Sequence, residues 1–448
     1  MATTLSNTFA LIPHPDASRV LMLKQGHSWA LPHCAEDEPA AINQAIQRQL
    51  GLEVTILYCA DEQDTSETEV QRIYAVDNHS ASDQVPAYAA WIRFEDLSER
   101  MLAEPRHYTV LESWFHEMQG SDDNELRRPW RRIGWYTILT SWLEEQLARL
   151  GYQATEVEQV EVSDWSYILR IHTTGSTLYL KCCDPAFPHE VALTATLSRL
   201  WPTVVPSVLA IESRQNWMLM QDAGTLLSAS QERVHDSACW TDILTSYIRL
   251  QKEAIGYRDT LLLQGCPDRR LEKLPSLVAE ALVDTDMLRI GKSGGITEED
   301  AAQLRVFLPQ LKGMCDELAS YGIPETLHHD DLHSGNIMVQ EDHYIFFDWA
   351  ESFIAHPFYS LAVILRYAGY GDLNGAQQEY LRDVYLEAWT SYAPIERLRE
   401  AFQIAQKLGI LGRGLTWYQY IRSLEPKVRQ KYAGEWPYWL QLFLGTAD

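Results

Sequence analysis

Apolar and polar positions alternate along some stretches of the chain and recur at helical spacing along others. The runs RVLMLKQ (19–25) and QVPAYAAWIRF (84–94) read as strands. Between them, EPAAINQAIQRQLG (38–51) puts Ile42, Ile46 and Leu50 on one helical face. The polar run QGSDDNELRRPWRR (119–132) is the clearest break in the pattern and predicts a linker over 121–129. After it, RIGWYTILTSWLEEQLARLGY (132–152) is an amphipathic helix closed by a glycine. The segment EQVEVSDWSYILRIHTTGSTLYLKCC (158–183) alternates as antiparallel strands turning at Thr174–Gly175. From about Ala223 the pattern is mainly helical, interrupted by one hairpin near 337–348. Four regions follow: a domain over 1–120, the linker, a small sheet-based lobe over 130–222 and a helical lobe over 223–448.

Composition narrows the function classes. With 46% hydrophobic and 22% charged residues, the chain is an ordinary globular protein. No apolar window is long enough to span a membrane, and MATTLSNTFALIPHPD lacks a secretory pattern. Net charge is −25, from 37 basic and 62 acidic residues, which argues against a nucleic-acid partner and is compatible with a cationic small substrate. The seven cysteines are scattered, with no CxxC pair, so a reduced cytoplasmic protein is expected.

Candidate chemistry concentrates in LHHDDLHSGNIM (327–338) and the segment after it. NIMV and HYIFFD flank the polar turn QED, so a hairpin centred near Asp342 would bring Asn336 and Asp348 side by side, with Asp331 in the loop before them. That set suits phosphoryl transfer: an aspartate takes the proton of an attacking hydroxyl, while an asparagine and a second aspartate hold magnesium through hard oxygen ligands. His329 and His333 have the spacing of a zinc helix, but no glutamate follows the first, and SGN soon after disfavours a long helix. His329 is then a core histidine and His333 a loop residue.

A second cluster points the same way. Lys181 shares a strand face with Tyr179. In FPHEVALTATLSRLW (187–201), Glu190 lies on the face of Leu193, Leu197 and Leu200. An inward carboxylate needs a partner, and a strand lysine paired with a helix glutamate is a phosphate-positioning device. Two surface charges would be the plain alternative.

HHDDLHSGNIM resembles the catalytic loop of the aminoglycoside phosphotransferase and choline kinase family, usually HGDLHxGN, and FFDWAE resembles its metal-binding segment. YLKCCD, HEVALTATL and WMLMQDAG (217–224) resemble its lysine strand, glutamate helix and hinge. The resemblance spans about 130–448. It implies an α+β, two-lobed protein-kinase-like fold binding ATP, or GTP, with magnesium. Asp331 would be the base, Asn336 and Asp348 the metal ligands, and Lys181 with Glu190 the phosphate-positioning pair. Backbone groups of Met220, Gln221 and Asp222 would meet the base of the nucleotide. Three positions depart from the family. The phosphate-covering turn VSDWSY (162–167) has no glycine, leaving Ser163 and Ser166 to donate hydroxyls. Asp330 replaces a glycine and is expected to face away from Asp331. Ser360 stands where relatives have an aspartate that braces the loop.

WALPHCAEDEPAAINQAIQRQLGLEV (29–54) resembles a Nudix box, and 1–120 a Nudix-like α/β/α sandwich. Its REUxEE positions read Gln44 to Gln49 without a carboxylate, so the scaffold is expected without hydrolase chemistry. The whole chain then reads as a small-molecule kinase using a hydroxyl acceptor. The alternative is a nucleotide- or ligand-binding protein of the same fold that lacks turnover.

Overall fold

Ile42, Ile46 and Leu50 form the buried stripe of a helix that starts at Pro39 and stops at Gly51, whose φ of 73° ends it in a left-handed cap. The computed structural model describes residues 5–66, 69–81, 84–119, 125–341, 343–368 and 373–446. The chain divides into two units, Met1–Asp184 and Pro185–Asp448.

In the first unit, strands β1 (Leu5–Leu11), β2 (Arg19–Gln25), β3 (Ser28–Ala30) and β4 (His33–Cys34) precede helix α1 (Pro39–Leu50). Strands β5 (Val54–Ser66), β6 (Glu69–Asn78) and β7 (Ala89–Arg93) follow, then helices α2 (His107–Gln119) and α3 (Trp135–Leu150). The unit ends in β8 (Ala154–Val162), β9 (Ser166–Thr173) and β10 (Thr177–Cys183). One sheet runs β4-β1-β6-β5, with β1 and β6 parallel, and another runs β3-β2-β7. Successive β1 residues feed opposite cores, as the two-residue repeat of a strand requires. Phe9 and Leu11 join Leu111 and Trp114 of α2, whereas Ala10 joins Ile42 and Ile46 of α1. Helices therefore cover both faces.

Strands β8, β9 and β10 are antiparallel neighbours, and the turn falls where the alternation put it, with Thr177 opposite His172. A buried glutamine ties β8 to β5. Gln159 Nε2 donates to the Ile56 carbonyl at 2.7 Å, and its Oε1 accepts from the Ile56 amide at 2.9 Å. The side chain thus completes a ladder as a neighbouring strand would. Gln159→Leu leaves both Ile56 groups buried and unpaired, and should destabilise the first unit by about 1–3 kcal/mol in denaturant titrations. An unchanged midpoint would exclude this role.

Residues 121–124 of the expected linker lie outside the described residues. Glu125 and Leu126 are exposed, whereas Arg127 to Pro129 are packed. Arg128 pairs with Asp184 at 2.8 Å, both buried, and the neighbouring Trp130 donates from Nε1 to the Ser163 carbonyl at 3.1 Å. A polar run signals solvent only while its charges lack partners, and here a buried carboxylate supplies one.

The second unit opens with α4 (Glu190–Leu200) and the hairpin β11 (Val208–Glu212) and β12 (Trp217–Gln221), then β13 (Thr225–Leu226). Helices α5 (Gln231–Val234), α6 (Ser237–Ala254), α7 (Arg258–Leu263), α8 (Leu274–Val283), α9 (Thr285–Leu288) and α10 (Glu298–Ala319) lead to β14 (Thr326–His328). Then come β15 (Ile337–Gln340), β16 (His343–Phe346) and β17 (Phe353–Ala355). Helices α11 (Phe358–Ala368), α12 (Gly375–Glu387), α13 (Ile395–Arg422), α14 (Pro426–Tyr432) and α15 (Glu435–Leu444) close it. Short strands pair as β13-β15-β16 and β14-β17 inside one apolar core. Among the described residues no helix is long and apolar enough to cross a membrane.

Candidate active site

Strands β15 and β16 pair Ile337 with Phe346 and Gln340 with His343. The register is thus centred half a residue before position 342, which itself lies outside the described residues. Asn336 consequently faces Phe347, whose amide donates to its carbonyl at 3.3 Å, in place of Asp348. Asp348 follows one residue later with φ 64°, a left-handed conformation that few side chains other than Asp and Asn adopt readily. Backbone geometry that costs energy and persists is a mark of functional positions.

Asn336, buried at the end of a short 3₁₀ turn, fixes Asp331. Its Nδ2 donates to the Asp331 carbonyl and to Asp331 Oδ2, both at 2.9 Å. This orients the amide so that Oδ1 points away from Asp331. Arg413 of α13 donates to the other carboxylate oxygen, Oδ1, at 3.1 Å. His333 Nε2 stands 3.4 Å from Oδ2, while its Nδ1 accepts the Gly335 amide at 3.0 Å. Burial alone would raise the Asp331 pKa. The hydrogen bond from His333 and the charge of Arg413 outweigh it and hold the group well below the usual carboxylate range. Asp331 is anionic at any working pH.

Beneath this carboxylate lies a closed polar network. Asp330 does turn from Asp331, but into the protein: it is fully buried. Its Oδ1 meets His328 Nε2 at 2.9 Å, and its Oδ2 accepts from Thr416 Oγ1 at 2.9 Å. His328 Nδ1 meets Ser360 Oγ at 2.6 Å, and Ser360 also contacts Tyr247 Oη at 2.9 Å and Gln251 Nε2 at 3.1 Å. Tyr247 Oη in turn accepts the His329 amide at 3.0 Å. Burial drives the His328 pKa down, so the ring is neutral. The partners then assign its tautomer: Nε2–H donates to Asp330 and Nδ1 accepts from Ser360. Arg413 joins both layers, donating to the Asp330 carbonyl at 2.8 Å and pairing with Glu351. His329 is the core histidine expected, its Nε2 at 2.9 Å from the Phe347 carbonyl and its ring against Trp349.

A loop aspartate oriented by an asparagine and an arginine, with a second aspartate past a hairpin, is compatible with phosphoryl transfer. The sequence model of a family described as the phosphotransferase enzyme family matches residues 153–395, more than half of the chain. The chain belongs to this family. It is a member of a phosphotransferase family with the α+β, protein-kinase-like fold. Among curated proteins none matches the chain. Among solved structures, a choline kinase from Cryptosporidium parvum Iowa II is 12% identical, with 69% of this chain and 95% of that one covered and a TM-score of 0.50. A choline kinase from Streptococcus pneumoniae is 13% identical, with 69% and 99% covered and a TM-score of 0.46. A macrolide 2'-phosphotransferase from Brachybacterium faecium is 15% identical, with 66% and 97% covered and a TM-score of 0.44.

The remaining residues singled out in this phosphotransferase are distributed as follows. Lys181 is buried on β10, opposite Ile168, in the first unit. Glu190 is buried at the start of α4 in the second. The hydroxyls of Ser163 and Ser166 are engaged within the turn and with Glu161. Ser166 Oγ donates to Glu161 Oε1 at 2.6 Å, and Ser163 Oγ accepts the Trp165 and Ser166 amides at 3.2 and 3.0 Å. The turn is closed by its own serine hydroxyl, which takes two backbone amides. At the hinge, the Gln221 amide donates to Ser207 at 2.9 Å, and Asp222 Oδ1 accepts the Gly224 amide at 2.9 Å. Met220 pairs with Val208. Arg413, Glu351, Thr416 and His328 are site residues to which sequence patterning assigned no role.

Proposed function

We propose that the protein transfers the γ-phosphate of ATP or GTP to a hydroxyl of a small molecule in a magnesium-dependent reaction. The observation that carries this reading is the Asn336 amide, whose nitrogen is committed to Asp331 and whose oxygen is therefore left for a cation. Asn336 Oδ1 and the Asp348 carboxylate are hard oxygen donors of the kind magnesium prefers, so these two residues would hold it. Bound there, magnesium would neutralise charge on the nucleotide phosphates. Asp331 orients the acceptor hydroxyl and receives its proton as the oxygen attacks the γ-phosphorus. The bond from that phosphorus to the bridging oxygen breaks, and the nucleoside diphosphate leaves. Lys181 and Glu190 position phosphates, and the backbone of Met220–Asp222 meets the base of the nucleotide.

The helix-covered sheets of the first unit support a Nudix-like scaffold over 1–120, and the uncharged Gln44, Gln47 and Gln49 on the exposed face of α1 support its lack of hydrolase chemistry. A cytoplasmic setting, from the cysteine pattern, belongs to the same reading.

The test is incubation with magnesium and ATP or GTP against a panel of amino alcohols, sugars, polyols and hydroxy acids, with product detected by mass. In parallel, Asp348→Ala should abolish the magnesium-dependent part of nucleotide binding, measured by calorimetry with and without chelator. Equal affinity in the variant would overturn the metal assignment. Binding without transfer to any acceptor would leave the nucleotide-binding alternative.

A further inference from the structure

Helices α11, α12, α13 and α15 enclose a cavity of about 520 Å³, within the range of small-molecule sites. Arg413, part of its lining, also donates to Asp331 Oδ1 at 3.1 Å, so one side chain links the cavity to the candidate base, which is not itself in the lining. Phe402 and Trp439 supply apolar walls. Its charged residues are three arginines, 366, 382 and 413, against one glutamate, Glu379, which is exposed to solvent. In a chain of net charge −25 this is a local reversal of sign.

The three arginines are not equivalent. Arg413 is balanced by Asp330, Asp331 and Glu351. Arg382 pairs with Asp383 at 2.9 Å. Arg366 has no carboxylate partner among the described residues. Its guanidinium lies 4.8 Å from the Trp439 ring centroid and donates to Tyr438 Oη at 3.0 Å. A guanidinium stacked on an indole keeps its edge donors in one plane, a geometry matched to a carboxylate or phosphate. A cationic acceptor would meet three arginines against one exposed carboxylate among the described lining residues.

We infer that the cavity takes the acceptor, and that the acceptor is an alcohol also bearing an oxyanion, carboxylate or phosphate, which Arg366 binds. This rests on the phosphotransfer reading above. It replaces the cationic substrate that the overall charge suggested, since the local field and not the net charge meets the ligand. The acceptor's hydroxyl oxygen bonds to the γ-phosphorus, the nucleoside diphosphate departs, and the proton passes to Asp331.

Matched acceptors test it: glycerate against glycerol, gluconate against sorbitol, glucose 6-phosphate against glucose, and choline as the cation. The acidic member of at least one pair should be the better substrate. Arg366→Met, which keeps the stem on Trp439, should raise its KM about 10- to 100-fold, the worth of a charge-assisted pair, with KM for the nucleotide unmoved. Arg366→Lys should recover part of that loss. Preference for choline or the neutral alcohols, or an unchanged KM for the acids in Arg366→Met, would overturn the inference. Calorimetry with the same acids separates it from the parent reading. Binding that Arg366→Met abolishes, without any transfer, would sustain the oxyanion site and sink the kinase assignment. Absence of both transfer and binding would sink the two together.

Discussion

Asp331→Asn should lower kcat by about 10²- to 10⁴-fold, the usual worth of a positioned acid–base group, while nucleotide affinity stays near that of the parent. The carboxylate accepts on both sides, from Asn336 Nδ2 at 2.9 Å and from Arg413 at 3.1 Å. An asparagine offers only one acceptor oxygen, so its NH2 must face one of these two donors. The variant therefore loses the proton acceptor and also turns one hydrogen bond into a donor–donor contact, a local penalty of about 1–3 kcal/mol. Thermal melting reads that second effect by itself, and calorimetry with nucleotide shows whether the rest of the site survives. A variant that binds nucleotide normally and loses transfer identifies Asp331 as the group that handles the acceptor hydroxyl. One that retains full turnover cannot have lost its base, and would move the assignment elsewhere.

What the sequence disclosed and what it withheld divide along the distance between partners. The stripe of α1, the strands around Thr174–Gly175 and the hairpin after Asn336 are written in residues a few positions apart, and local periodicity finds them. Register is subtler. Glu341 has φ 53°, and the pairing of Gln340 with His343 puts Asp348 out of line with Asn336. Nothing in the letters QED announces that. The tie from Gln159 to Ile56 spans 103 positions and that from Arg413 to Asp331 spans 82, beyond any local pattern. Arg413 did leave a trace. It sits between Gly412 and Gly414 inside a 28-residue helix, where glycine is unfavourable. A Cβ at Gly414 would stand 2.7 Å from the Trp436 ring, so the glycine marks a helix pressed close to its neighbours. An arginine between two such glycines is pointed into packed protein, and a buried guanidinium implies buried carboxylates. Asp330 and Ser360 stood out as departures from the family, yet their connection through His328 is visible only in three dimensions.

That connection makes a prediction about a pair. His328 holds Asp330 on one ring nitrogen and Ser360 on the other, at 2.9 and 2.6 Å. Removing the buried carboxylate with Asp330→Gly leaves the His328 N–H and the Thr416 hydroxyl without their acceptor, and should destabilise the second unit by about 3–5 kcal/mol, as breaking a buried charged network does. Adding Ser360→Asp to that variant returns a carboxylate to the same ring from its opposite side. The imidazole then reverses its tautomer, with Nδ1–H donating, and His328 is held again. Stability and turnover of the double variant should therefore exceed those of Asp330→Gly. Ser360→Asp alone crowds two carboxylates onto one imidazole and should be worse than the parent. A double-mutant cycle in denaturant measures this coupling, expected at about 1–3 kcal/mol for residues sharing one partner. If the double variant is no better than Asp330→Gly, Asp330 acts through Thr416 and Arg413 and not through His328. Recovery would mean that the loop needs one buried carboxylate against its histidine, and that this chain carries it in the loop itself instead of on the following helix.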